Sequence, residues 1–78
     1  MLIRSQDKKR IVKALHVSVG NEVSSKTKHI FAGFAGKTFF HENEINIGQY
    51  PSEEAAFAQI DKMIQYFAQN PNGVYQMD

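Results

Sequence analysis

Residues 51–70 read PSEEAAFAQIDKMIQYFAQN and carry the clearest local structural signal in the chain. Pro51 disfavours helix in the residue before it, and Ser52 is a good N-cap. Glu53 and Glu54 then place negative charge at the positive end of the helix dipole. This stretch therefore predicts the start of a helix, and the rest of the fold is built around it.

The predicted helix covers residues 52–69. Its apolar residues recur at three- and four-residue spacing, which is typical of an amphipathic helix with one buried stripe. We expect all of them to be core: Ala56, Phe57, Ile60, Met63, Ile64 and Phe67. The sequence Asn70-Pro71-Asn72-Gly73 follows and is a stop signal, because proline and glycine end helices.

The residues before the helix carry strand patterns instead. Alternating or β-branched and aromatic runs predict strands at Met1–Ser5, Ile11–Val19, Lys28–Ala35, Thr38–Phe40 and Glu44–Gly48. After the helix, residues 74–77 are β-prone and could add a short edge strand.

The string Gly33-Phe34-Ala35-Gly36-Lys37-Thr38 ends like a phosphate-binding loop. That motif needs four residues between its first glycine and the Gly-Lys pair, and its loop must open a helix. Here Gly33 is too late, and Phe39 and Phe40 continue a strand. We therefore interpret Gly36-Lys37 as a tight hairpin turn.

These elements predict an α+β fold. We expect a small antiparallel β-sheet of four to five strands in a meander, with one C-terminal amphipathic helix packed on one face. Residues 1–78 would be a single domain, with residues 1–50 as the sheet. A chain of 78 residues has a thin core, so its stability should be modest.

Composition narrows the functional classes. There is no cysteine, which removes disulfides and the commonest zinc sites, and we expect no cofactor or metal. A net charge of +1 lacks the basic excess usual in DNA-binding domains. No apolar run is long enough to span a bilayer, and no export signal is evident. The expected location is the cytoplasm, without membrane association and with no small-molecule substrate evident.

Three blocks resemble a family of small proteins of Gram-positive bacteria and their phages. They are Ile3-Arg4-Ser5-Gln6-Asp7-Lys8, Ile47-Gly48-Gln49-Tyr50 running into Ser52-Glu53-Glu54-Ala55, and Val74-Tyr75-Gln76-Met77. The resemblance covers both ends and the helix junction, and the region from Phe31 to Phe40 departs from it. It implies a sheet-plus-helix fold and a phage or mobile-element accessory role, and it implies no activity.

The candidate catalytic and metal-binding residues do not form a recognised motif. His16, His29 and His41 lack the helical spacing of zinc ligands, and scattered histidines are the better interpretation. Glu42 and Glu44 would share one strand face in water. The serines lie in strands or polar loops without a nucleophile elbow. We therefore expect a protein that is not an enzyme.

The aromatic run before the helix suggests a contact surface. Phe39 and Phe40 are adjacent, so in a strand they point to opposite faces of the sheet. For the same reason, Phe31 points to the face opposite that of the residues on either side of it. One helix covers one face of a sheet, so the second face would be apolar and uncovered unless the sheet curls into a half-barrel. We expect a homodimer or a complex with another protein, through a sheet face or edge. The expected contacts are Phe31, Phe39, Phe40, Tyr50 and Tyr75.

An alternative is a nucleic-acid-binding accessory protein. Arg4, Lys8, Lys9 and Arg10 form the densest positive cluster, with Lys13 nearby. They could contact phosphates, and neighbouring aromatic rings could stack on bases. The competing interpretation is a solvated turn that protects a sheet edge.

Overall fold

The computed structural model describes residues 1–21, 27–37 and 42–78, which form one sheet and one helix. In chain order the elements are β1 (Leu2–Arg4), β2 (Ile11–Asn21), β3 (Lys28–Lys37), β4 (Glu42–Tyr50), α1 (Glu53–Gln69) and β5 (Val74–Gln76). The predicted α+β class is confirmed. The helix packs against the sheet and contacts β2, β3, β4 and β5.

The strand order is β4-β3-β2-β1-β5. The first four strands are antiparallel neighbours in chain order, which is the predicted meander. The fifth strand pairs with β1 in parallel, with Ile3 opposite Tyr75. Because α1 starts beside β4 and ends beside β5, it carries the chain across the sheet from one edge to the other.

The predicted hairpin turn at Gly36-Lys37 is wrong. Both residues belong to β3, and Lys37 is paired with Glu42 of β4. Two glycines and two alanines in β3 do not break the strand, because pairing with β2 and β4 holds its backbone extended. The predicted strand Thr38–Phe40 lies outside the described residues.

Strand β2 is shared between two neighbours. Residues 11–13 pair with β1, whereas pairing with β3 begins where Ala14 lies opposite Phe34. The register shifts between Ala14 and His16, so Leu15 is the extra residue of a β-bulge. A bulge bends its strand and increases the local twist. Beyond the Ala14–Phe34 pair, β2 and β3 are therefore no longer paired and diverge. We call the place where they diverge the β2–β3 fork.

The sheet is strongly curled. Three inter-strand steps would separate β1 from β4 by about 14 Å in a flat sheet. Gln6, just after β1, nevertheless bonds to β4: its backbone N donates to the Ile47 carbonyl at 2.8 Å, and its Oε1 accepts from the Gln49 N at 2.8 Å. A second register shift, at Ile47, helps β4 bend towards this turn.

The ends of α1 form as the sequence predicts. Ser52 has an extended backbone and its Oγ accepts a hydrogen bond from the Ala55 N at 3.1 Å, which makes it the N-cap. Glu53 and Glu54 occupy the first turn. At the other end, the Asn70 N donates to the Tyr66 carbonyl and ends the helix before Pro71.

The core lies between α1 and the inner side of the curled sheet. Its largest fully buried side chains are Ile3, Ile30, Ile47 and Met63. The described part of the chain contains no helix long and apolar enough to cross a membrane.

The prediction that the whole helical stripe is core is wrong for two residues. Ala56 and Met63 are buried, and Ile60 and Phe67 are half-buried against the core. Phe57 and Ile64, however, are 48% and 61% exposed. The face of the helix that meets the sheet is rotated towards residues 56, 59 and 63, which leaves one flank of the stripe in solvent.

A polar network crosses this core at Gln59, which is buried. Its Oε1 accepts from the Tyr75 hydroxyl at 2.8 Å and from the Asp78 N at 3.1 Å, and its Nε2 donates to Asp78 Oδ2 at 3.2 Å. Lys62 Nζ also contacts Asp78 Oδ2 at 3.0 Å. These bonds satisfy the buried amide and fix the segment after β5 on the helix.

The adjacent residues Met63 and Ile64 lie on the buried side and on the exposed side of α1, respectively. Met63→Ala should lower the free energy of unfolding by about 2–5 kcal/mol, because it removes a fully buried side chain. Ile64→Ala is the matched control and should change it by less than about 1 kcal/mol, since its side chain is mostly exposed. Urea unfolding followed by circular dichroism measures both. Equal effects would contradict the observed orientation of α1.

Candidate functional site

The exposed large apolar side chains are not scattered evenly. Two of them, Ile11 and Leu15, lie on β2 and are 61% and 66% exposed, and Phe34 on β3 is 37% exposed. Phe57 and Ile64 lie on α1, well separated from these in the sequence. Five of the seven exposed large apolar side chains among the described residues thus fall in two regions, one at the β2–β3 fork and one on the helix, and Met1 and Val74 are the other two.

The first region, the fork groove, lies where β2 and β3 diverge and has a volume of about 650 Å³. It is lined by Arg10, Ile11, Val12, Lys13, Leu15, Phe34, Ala35 and Ile45. Side chains from both sides of the sheet reach it because the strands separate there. Its described lining is aliphatic and aromatic, with Arg10 and Lys13 as the charged members.

The bulge at Leu15 shapes this groove. In a regular strand the residues after Ala14 would alternate strictly, but the extra residue lets Leu15 and His16 both turn away from the buried side that holds Ala14. His16 pairs with Gly33, and its ring occupies the space where a Cβ at Gly33 would lie. Leu15 is thereby directed outward beside Ile11 and Lys13.

The second region, the helix flank, is formed by Phe57 and Ile64 with Glu54 and Asp61 between and beside them. All four side chains are exposed. A small cleft of about 310 Å³ adjoins the flank at Phe57, and Lys28 and Glu53 line it together. The helix flank therefore combines apolar groups with carboxylates.

The side of the sheet opposite α1 carries both apolar and polar side chains around Phe31. Phe31 lies opposite Ser18 on β2 and Asn46 on β4, so the three side chains share this side. His29 is buried beside Phe31, with ring centroids 6.1 Å apart, and its Nδ1 lies 2.7 Å from Asn46 Nδ2. Around Phe31 this side of the sheet is therefore mixed, whereas Phe39 and Phe40, on which the predicted apolar face also depends, lie outside the described residues.

Two of the predicted contact residues are core residues. Tyr50 and Tyr75 are each 8% exposed. The Tyr50 hydroxyl donates to the Asp78 backbone oxygen at 3.1 Å, and a Cβ at Gly48 would lie 2.9 Å from the Tyr50 ring. Gly48 thus leaves room for this ring to fold inward, and neither tyrosine presents a surface to a partner.

The other predicted contacts are placed differently. Phe31 is half-buried on the side opposite the helix, so part of its ring remains accessible. Phe39 and Phe40 lie outside the described residues.

The predicted basic cluster does come together. Arg4, Lys8, Lys9 and Arg10 are all exposed around the β1–β2 turn. Arg4 Nε donates to the Lys8 carbonyl at 3.1 Å, and Lys8 adopts φ 66°, a left-handed conformation that closes the turn. The Asp7 carboxylate accepts from Ser5 Oγ and from the Lys9 N, which lowers the pKa of Asp7. Arg10 links this turn to the fork groove.

The described residues contain no group of three or more acidic, histidine or cysteine side chains arranged to hold a metal ion. His16 and His29 both lie on the sheet, over Gly33 and beside Asn46 respectively, and His41 lies outside the described residues. A polar cleft of about 220 Å³ between the β1–β2 turn and β4 is lined by Ser5, Gln6, Asp7, Asn46, Ile47, Gly48 and Gln49.

Comparisons of the chain with protein-family models, with curated proteins and with solved structures give no match. They do not test the resemblance to small proteins of Gram-positive bacteria and their phages, which stays a prediction. The site has to be interpreted from its own geometry.

Sequence reasoning missed the groove residues Ile11, Leu15 and Ile45. A signal for two of them is present, because β2 is apolar on both sides: Val12 and Ala14 alternate with Ile11 and Leu15. A strand that is apolar on both sides must bury the second side or expose it. The divergence of β2 from β3, which exposes it, is not encoded in any local pattern.

The burial of Tyr50 and Tyr75 has a chemical consequence. Burial raises the pKa of Tyr50 to about 12 and also raises the pKa of Tyr75. Tetranitromethane nitrates the phenolate, so at mildly alkaline pH both residues should react much more slowly than the half-buried Tyr66. Peptide mapping by mass spectrometry measures the order, and unfolded protein, in which all three react, is the control. Early nitration of Tyr50 would place it on the surface.

Proposed function

We propose that this protein is a non-catalytic interaction module that binds another polypeptide through the fork groove. The observation that carries the proposal is the cluster of exposed Ile11, Leu15 and Phe34 around one groove. Large exposed apolar patches in soluble proteins usually mark an interface. The partner is a second copy of this chain or a different protein, and the phage or mobile-element context predicted from the sequence is compatible with either.

The chemistry of the groove favours docking over catalysis. Its described lining offers apolar contact and two cations, Arg10 and Lys13, and these groups bind and orient rather than transfer protons. Burying a side chain of the size of Leu or Phe stabilises a complex by about 1.5–3 kcal/mol. Two or three such contacts in the groove would offset a large part of the free energy that is lost when an apolar segment of a partner is immobilised.

The basic turn supports a second candidate, a nucleic-acid-binding accessory protein. Arg4, Lys8, Lys9 and Arg10 are exposed within a single turn, so they could reach neighbouring phosphates together. The groove beside them is apolar, which suits a polypeptide better than a phosphate backbone.

Selection from a library of random linear peptides tests the first proposal. We expect enriched peptides to be rich in apolar residues, and Leu15→Asp to weaken their binding by about tenfold or more, since a tenfold change corresponds to 1.4 kcal/mol. Isothermal titration calorimetry measures the affinity. Val74→Asp is the matched control, because Val74 is an exposed apolar residue on β5 that does not line the groove.

Circular dichroism and melting temperature should show that both variants keep the wild-type fold. Equal loss of binding in the two variants, or no peptide that depends on Leu15, would contradict the role of the groove. Single-stranded and duplex oligonucleotides in a salt series discriminate the second candidate. Binding that weakens steeply with salt would favour it, because phosphate contacts release counterions.

A further inference from the structure

The helix flank has a regular order of side chains. Glu54, Phe57, Asp61 and Ile64 are spaced by three, four and three residues, so they form a single row along α1. All four are exposed. The row therefore alternates acidic, apolar, acidic and apolar groups, and the distance from Phe57 to Ile64 is about 10.5 Å at the rise of an α-helix.

The fork groove presents the complementary order. Arg10, just before β2, and Ile11, Lys13 and Leu15 on β2 read basic, apolar, basic and apolar, and all four are exposed. Ile11, Lys13 and Leu15 point to the same side of the strand, because they are two residues apart. The distance from Ile11 to Leu15 is about 13 Å in a regular strand, and the bulge at Leu15 shortens it.

Each row has one central charge, which is Asp61 on α1 and Lys13 on β2. Among the described residues, no ion pair neutralises either of them. Lys62, the neighbour of Asp61, pairs instead with Asp78. Arg10 is attracted by the Asp7 carboxylate, and Lys28 lines the cleft near Phe57 together with Glu53. Lys13 and Asp61 thus remain exposed charges of opposite sign, each flanked by two apolar side chains.

We propose that the occupant of the fork groove is the helix flank of a second copy of this chain. In this arrangement Phe57 and Ile64 contact Ile11 and Leu15 of the partner copy. Asp61 meets Lys13, and Glu54 meets Arg10. The two rows match in order and are opposite in charge, and their apolar pairs have similar spacings, about 10.5 Å on α1 and at most about 13 Å on β2. This inference rests on the proposed function, and it names the partner.

The two surfaces are different patches of one chain, so association has two possible forms. A symmetric dimer would contain the contact twice, with each helix flank in the other copy's groove. A head-to-tail arrangement would contain it once per pair and would continue to larger assemblies. Sedimentation velocity over a micromolar concentration series separates a dimer that saturates from growing oligomers.

A charge-swap experiment tests the pairing. One variant carries Arg10→Glu with Lys13→Glu, and the other carries Glu54→Lys with Asp61→Lys. Each variant alone places like charges at the contact, so self-association should weaken by at least about tenfold relative to wild type. An equal mixture restores opposite charges at both kinds of contact, and association should return close to the wild-type level.

All four substituted residues are exposed, and circular dichroism with melting temperature checks that each variant folds. The wild-type association should also weaken at high salt, because exposed charge pairs are screened. A mixture that stays monomeric, or single variants that associate like wild type, would overturn the inference.

Failure of this inference differs from failure of the proposed function. A wild-type protein that stays monomeric at high micromolar concentration, while selected peptides still require Leu15, would mean that the groove binds a different protein. Only the inference of self-association would then fall. Loss of both self-association and Leu15-dependent peptide binding would remove the proposed function as well.

Discussion

The curl of the sheet is held by Gln6, and the rest of the structure depends on it. This residue follows β1, yet its backbone N and its side-chain amide bond to the β4 backbone at Ile47 and Gln49, and its Nε2 also donates to the Asp78 backbone oxygen at 3.0 Å. A flat sheet would keep β1 and β4 apart. With the bend in place, one helix of 17 residues is long enough to close the inner side of the sheet.

The same bend decides which residues become surface. Curling directs Tyr50 and Tyr75 inward, where Gln59 and the Asp78 backbone satisfy their hydroxyl groups. On the helix, Met63 faces the sheet while Phe57 and Ile64 remain outside. In a domain this small, apolar groups that miss the core have little other protein to cover them. The exposed flank and the fork groove follow from that shortage.

Much of the fold is predictable from local chemistry. Pro51, Ser52 and the two glutamates locate the start of α1, and alternation of apolar residues locates the strands and their meander. Other features depend on contacts between residues far apart in the sequence. No local sequence pattern signals the parallel pairing of β5 with β1, the burial of Gln59 or the bridge at Gln6. The strand through Gly36 is a case in which pairing overrides a turn preference.

The candidate site is less predictable than the fold, for the same reason. Aromatic residues suggest contact surfaces, but Tyr50 and Tyr75 are long amphipathic groups that bury their rings when a hydroxyl partner is within reach. The basic residues of the β1–β2 turn are found from sequence because they are adjacent in it. The apolar groove beside them needs the divergence of two strands, and its residues come from β2, β3 and β4.

The division of β2 between two neighbours places the fork groove at the boundary of two ladders. Its first three residues belong to a small ladder with β1 and β5, and the remainder belongs to a larger ladder with β3 and β4. The two ladders are joined through β2 and also by the bonds of Gln6 to β4, so the groove at this junction is held at a fixed width. A groove that does not have to be reshaped when a segment docks loses less free energy to ordering on binding.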